Sequence, residues 1–201
     1  MTAIKICGIT RAEDAAAAVA LGVDALGFIL WAHSPRAVEI ARAAEIIATI
    51  PPAVATVAVF VNPSERDLQD AARAGFQIAQ VHESLPRLDV KTLRIMRAVH
   101  LAPGGEGIEP DVPGDETVLL DAHDPLLHGG TGRTVDWARA KKIAAARRVF
   151  LAGGLTPDNV GDAIRAVRPY AVDVASGVEA SPGVKDRARL EAFVKAVKET
   201  V

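Results

Sequence analysis

Cysteine is almost absent from this 201-residue chain, with Cys7 the single one. One thiol excludes an internal disulfide and a cysteine-rich metal site, and leaves Cys7 either a small buried hydrophobe or a thiol with chemistry to perform. His33, His100, His123 and His128 show no metal-ligand spacing, and nothing else in the sequence calls for a metal. No block of Lys or Arg occurs and the formal net charge is -2, so the electrostatic footprint of a nucleic-acid binder is missing. Long apolar runs are missing too: Met1-Thr2-Ala3-Ile4-Lys5 does not open a signal peptide, and no later stretch has the length to span a bilayer. The expectation is a cytoplasmic protein with neither a nucleic-acid nor a membrane partner.

What the chain does have is core: 50% of its residues are hydrophobic and 24% charged, the balance of a globular protein, with one domain over residues 1–201 as the default. Apolar runs of strand length alternate with longer stretches of helical spacing, the pattern of repeated βα units and a parallel sheet. Strands are expected at 3–7, 24–30, 54–61, 77–82, 93–100, 117–121, 148–152 and 170–175. Several are rich in Val, Ile and Leu without polar alternation, as parallel strands covered on both faces require. Ile40, Ala43, Ala44, Ile47 and Ile50 carry helical spacing, as do Leu190, Phe193, Val194 and Val197. Thr10 with Glu13 and Ser64 with Asp67 resemble capping boxes, and Thr156 before Pro157 resembles an N-cap. Residues 102–116, acidic and rich in Gly and Pro, read as a loop or a degenerate helix. Eight βα units suggest a single (β/α)8 barrel; an open doubly wound sheet is the alternative.

In such a barrel the active site lies at the carboxyl ends of the strands, and reactive residues collect there. Cys7 ends the first strand, His82 the fourth and Asp121 the sixth; Gly153-Gly154 follows the seventh and Ser176-Gly177 the eighth. The last two loops offer small residues and backbone amides where this fold usually binds phosphate, although glycine at a βα turn also serves the backbone alone. Gly129-Gly130-Thr131-Gly132 has the backbone freedom of a closing lid or of an ordinary surface loop. Cys7 and Asp121 stand well apart around the ring, an arrangement fit for one proton acceptor and one donor. Lys5 and Asp173 fall on the inward side of neighbouring strands and can pair; an ammonium there favours a thiolate, a neutralised pair less so. Arg36 is placed to clamp a carboxylate or to lie solvated, His82 reads as hydrogen-bonded scaffold, and Trp31 and Trp137 as packing.

The segments Lys5-Ile6-Cys7-Gly8-Ile9-Thr10, Ser34-Pro35-Arg36, Leu119-Leu120-Asp121, Gly129-Gly130-Thr131-Gly132, Ala152-Gly153-Gly154-Leu155 and Asp173 through Glu179 closely resemble the phosphoribosylanthranilate isomerases of tryptophan biosynthesis. The resemblance implies an Amadori rearrangement of N-(5-phosphoribosyl)anthranilate that needs no cofactor. It implies Asp121 as the acid that protonates the ribose ring oxygen, and Cys7 as the base that removes the C2 proton. Arg36 then holds the anthranilate carboxylate, and Gly153, Gly154, Ser176 and Gly177 cradle the phosphate; Gly130, Asp173 and His82 join them as candidate substrate-binding positions. The sequence departs from the family at Val81 and Glu83, where Leu and Gly are more usual, and at Ala175, where serine is common. Another phosphate-binding sugar isomerase, which would carry Asp in place of Cys7, and a non-catalytic phosphometabolite-binding barrel remain as rivals. Either a monomer or a homodimer is compatible with the sequence.

Overall fold

A computed structural model describes residues 1–86, 93–101, 116–122 and 136–200. Eight parallel strands close into a barrel in sequence order: β1 (Ala3–Ile6), β2 (Ala25–Ile29), β3 (Ala55–Val61), β4 (Ile78–His82), β5 (Arg94–Leu101), β6 (Val118–Ala122), β7 (Val149–Leu151) and β8 (Ala171–Val174). Helices α1 (Ala12–Ala20), α2 (Ile40–Ile47), α3 (Glu65–Arg73), α4 (Trp137–Ala144), α5 (Val160–Val167) and α6 (Arg187–Thr200) follow β1, β2, β3, β6, β7 and β8. An antiparallel pair not expected from the sequence, β9 (Glu179–Ser181) and β10 (Val184–Lys185), stands between β8 and α6. Of the segment 102–116 only Glu116 is described, and it pairs with Arg97.

The period-2 side-chain alternation of each strand sorts its residues between two cores. Ile4, Ile6, Leu26, Phe28, Ala58, Phe60, Leu120, Leu151 and Val172 point outward into the main core, where the helices pack. Cys7, Ala25, Val57, Val59, Met96, Leu119, Phe150, Ala152 and Ala171 form the interior cluster. This double burial is why the strand sequences read as near-continuous apolar runs. Closure rests on β1 and β8, where Lys5 lies in register with Asp173 and Ile6 with Val174.

On α6, Leu190, Phe193, Val194 and Val197 are buried as their spacing requires. On α2 the buried pair is Ala43 and Ile46; Ile40, Ile47 and Ile50 only flank the core, and Ile50 lies beyond the helix. Ser64 forms the expected capping box, accepting from the Asp67 amide while the Asp67 carboxylate accepts from the Ser64 amide at 2.8 Å. Two other starts differ from expectation. Arg11, not Thr10, precedes α1, because the Thr10 hydroxyl donates to the carbonyl of Gly183 at 2.5 Å and ties α1 to the β9–β10 turn. Helix α5 begins at Val160 rather than after Thr156, since Pro157 opens a turn that Asn159 closes by accepting from the Thr156 amide at 2.8 Å.

Candidate active site

Glycine makes the space in which the reactive groups of β1 sit. A Cβ at Gly27 would lie 2.9 Å from the Cys7 sulfur and 3.1 Å from Lys5 Nζ. The Cys7 amide donates to the carbonyl of Val174 at 2.8 Å, extending the β1–β8 ladder one residue past β1. Gly8, at φ +75°, then turns the chain away in a conformation that side chains rarely adopt.

Lys5 is fully buried and paired as expected: Nζ donates to Asp173 Oδ1 at 2.8 Å and to Gln80 Oε1 at 3.0 Å. Gln80 in turn meets His82 across 2.9 Å between Nε2 atoms, and the His82 ring lies 5.5 Å from that of His100. His82 is therefore part of a bonded network that orients Lys5. Burial works against the Lys5 ammonium, but Asp173 and Cys7 outweigh it and hold its pKa above the ordinary lysine value. Burial also pushes the Cys7 thiol up; Lys5 pulls it back, Asp173 pushes it further, Lys185 pulls it back, and the net direction is upward. Pairing with Asp173 thus leaves Lys5 too little free charge to ionise Cys7 by itself.

Asp121 sits on β6, 7% exposed and in register with His100. It lines the same cavity as Cys7, Arg36, Gln80, His82 and Asp173. Strands β7 and β8 lie between β6 and β1 on the shorter path around the ring, so the carboxylate and the thiol border that cavity from different sides.

Arg36 is neither solvated nor open-handed. Its Nε reaches both oxygens of Glu179 at 3.0 Å and its Nη2 reaches Oε2 at 2.9 Å, a fork that aims the guanidinium. Glu179 also binds Lys185 Nζ at 3.0 Å, and that ammonium donates to the carbonyls of Cys7 at 2.6 Å and Ala175 at 3.2 Å. Burial raises the Glu179 carboxyl, yet Arg36 and Lys185 together bring it below the ordinary carboxylate value. Burial dominates at Lys185 and lowers its ammonium despite Glu179. Sequence reasoning missed Gln80 and Lys185; Glu179, an acid in an otherwise small-residue loop, was the one signal that a buried cation must stand near it.

Gly153 and Gly154 both take positive φ, 85° and 66°, and Asn159 Nδ2 donates to the Gly154 carbonyl at 2.9 Å, fixing the β7–α5 loop. Ser176 opens a short 3-10 turn, Ser176–Val178, and joins Gly153 and Gly154 in the cavity lining. Gly177 has a packing reason of its own, because a Cβ there would fall 2.0 Å from the carbonyl oxygen of Leu155. It borders a neighbouring hollow with Arg189 rather than the cavity of Cys7. Trp31 lies against His33 with ring centroids 5.4 Å apart, and Trp137 packs on the main core. Gly130 and the Gly129–Gly132 segment lie outside the described residues. Among the described residues no group of three or more His, Cys, Asp or Glu could hold a metal ion, and no helix is long and apolar enough to cross a membrane.

A thiol and a carboxylate on separate strand ends, a forked arginine and a double-glycine loop around one cavity make a recognisable set. A family model for N-(5'-phosphoribosyl)anthranilate (PRA) isomerase matches residues 4–196. The chain belongs to this family. It is 46% identical over 200 residues to the N-(5'-phosphoribosyl)anthranilate isomerase of Pseudomonas aeruginosa, covering 97% of this chain and 94% of that one. The solved phosphoribosyl anthranilate isomerase of Thermus thermophilus is similar throughout, with a TM-score of 0.87, 37% identity and complete coverage of both chains. A further member, solved in complex with reduced 1-(o-carboxyphenylamino)-1-deoxyribulose 5-phosphate, has a TM-score of 0.84 at 34% identity over 99% of this chain and 100% of its own.

Proposed function

We propose that this chain catalyses the family's reaction in tryptophan biosynthesis, the rearrangement of N-(5'-phosphoribosyl)anthranilate to 1-(2-carboxyphenylamino)-1-deoxyribulose 5-phosphate, with Asp121 as general acid and Cys7 as general base. The placement of both groups in the lining of one cavity carries the reading. Asp121 protonates the ribose ring oxygen as the C1–O bond breaks, and the anilino nitrogen supplies the electron pair that forms the C1–N double bond. Cys7, as thiolate, takes the proton from C2; the resulting enolamine gains a proton at C1 and gives up the proton of its C2 hydroxyl, becoming the ketone. C1 is reduced and C2 oxidised within one molecule, so the step balances without an external oxidant or reductant.

The relative solved with the reduced product analogue supports a phosphorylated ligand here. Its phosphate rests on the amides of the Gly153-Gly154 loop and of Ser176, with Gly177 shaping the second wall by letting Leu155 approach. Arg36, aimed by Glu179, takes the aryl carboxylate, while Asp173 and His82 face the ribose portion. Residues 1–201 act as one catalytic domain in the cytoplasm.

Loss of phosphoribosylanthranilate fluorescence on the purified protein tests the pair. Cys7→Ala and Asp121→Asn should each lower kcat by about 100-fold or more, the size of a removed proton-transfer group, with KM little changed. Wild-type turnover in either variant would remove that residue from its role.

A further inference from the structure

Cys7 is flanked by two buried lysines, and only Lys5 was foreseeable from strand period. The second, Lys185, comes from the β9–β10 pair, has a side chain 1% exposed, and spends its three donors on Glu179 and on the carbonyls of Cys7 and Ala175. A hydrophobic residue would seal that hairpin against the barrel at lower cost, since a buried ammonium shares its one carboxylate with Arg36. The expense falls at the backbone of the residue read as the base, on its shortest hydrogen bond.

We propose that Lys185 is a positioning residue for the base: clamped on the Cys7 carbonyl and tied to Glu179, it fixes the Cys7 backbone and sets a second buried ammonium at that residue. Its catalytic part rests on Cys7 being the base. The charged neighbours of Cys7 are Lys5 on β1, Asp173 on β8, Lys185 on β10, Glu179 on β9 and Arg36 after β2, with His82 and Asp121 across the cavity. Asp173 neutralises Lys5 directly, whereas Glu179 is divided between Lys185 and Arg36, so Lys185 is the less compensated of the two cations. Its attraction for the thiolate runs in the same direction, against the burial that disfavours it. Because Glu179 holds Arg36 and Lys185 at once, the residue that meets the aryl carboxylate and the residue that steadies the base hang on one side chain.

The chain has one cysteine, so alkylation by iodoacetamide reports on Cys7 without interference. In Lys185→Gln, which keeps donors but no charge, alkylation at neutral pH should be roughly tenfold slower than in wild type, with the rates converging at high pH; kcat should fall by about the same factor and KM stay within about twofold. Lys185→Met, which lacks the donors too, should lose more kcat. The pair Glu179→Gln with Lys185→Gln leaves the net charge unchanged and should still show the slowed alkylation, which guards against a misfolded single variant. An unchanged alkylation profile in folded variants, or a loss carried by KM, overturns the proposal even where Cys7→Ala is dead. Full turnover by Cys7→Ala overturns the base assignment and with it the catalytic part, whatever the alkylation shows.

Discussion

Glu179 joins Arg36 to Lys185, and its ionisation reaches the stability of the whole protein. Burial raises its pKa, the bonds from Arg36 and Lys185 lower it further than that, and the folded value lies below the ordinary 4.5. The unfolded chain therefore takes up this proton first as pH falls, so the stabilisation is present above about pH 4.5 and fades as pH drops through the folded value. Urea titrations of wild type and Glu179→Gln should show a stability gap at neutral pH that closes in acid; a gap of constant size across that window would refute the account. That Cys7, Asp121 and Arg36 would border one cavity was legible in the sequence because each lies at a strand end or in the loop that follows one, on the face where this fold places its sites. Gln80 and Lys185 were not, because their meaning depends on partners 75 and 178 positions away, which no local spacing encodes.

At the scale of elements, all eight strands were readable to within a residue or two, since burial on both faces writes itself directly into composition. Helix starts were readable only where the capping group answers to its own helix, as Ser64 does. Thr10 and Thr156 carry the same local signal and are diverted, one by the Gly183 carbonyl across the chain and the other by the turn that Asn159 closes. The β9–β10 pair is too short for a periodic signature. Gly177 carries a second role that its sequence did not show: read as a phosphate ligand, it also allows the Leu155 carbonyl to come close. Gly177→Ala should accordingly lower the thermal midpoint by more than a surface change does, at a cost of about 1–3 kcal/mol or above from overpacking. A midpoint equal to wild type would show that the two loops separate freely.

For the molecule as a whole, closure of the ring joins the first strand to the last, and α6 lies over that region, touching α1, α5 and the 3-10 turn of the β8 loop. Phe193 is fully buried on α6, and Phe193→Ala should remove about 3–5 kcal/mol of stability. Urea unfolding should show this as a lower midpoint at unchanged slope, the mark of lost stability without a changed unfolded state. An altered slope would mean instead that α6 detaches on its own. The hydrogen bond from Lys185 to the Cys7 carbonyl spans 178 positions, which bears on the order in which these groups come together during synthesis. A ribosome releases Cys7 178 residues before Lys185. Over most of that interval the nascent chain carries its thiol without Asp173, Glu179 or Lys185, so the surroundings of the thiol are completed together by β8, β9 and β10 rather than accumulating along the way.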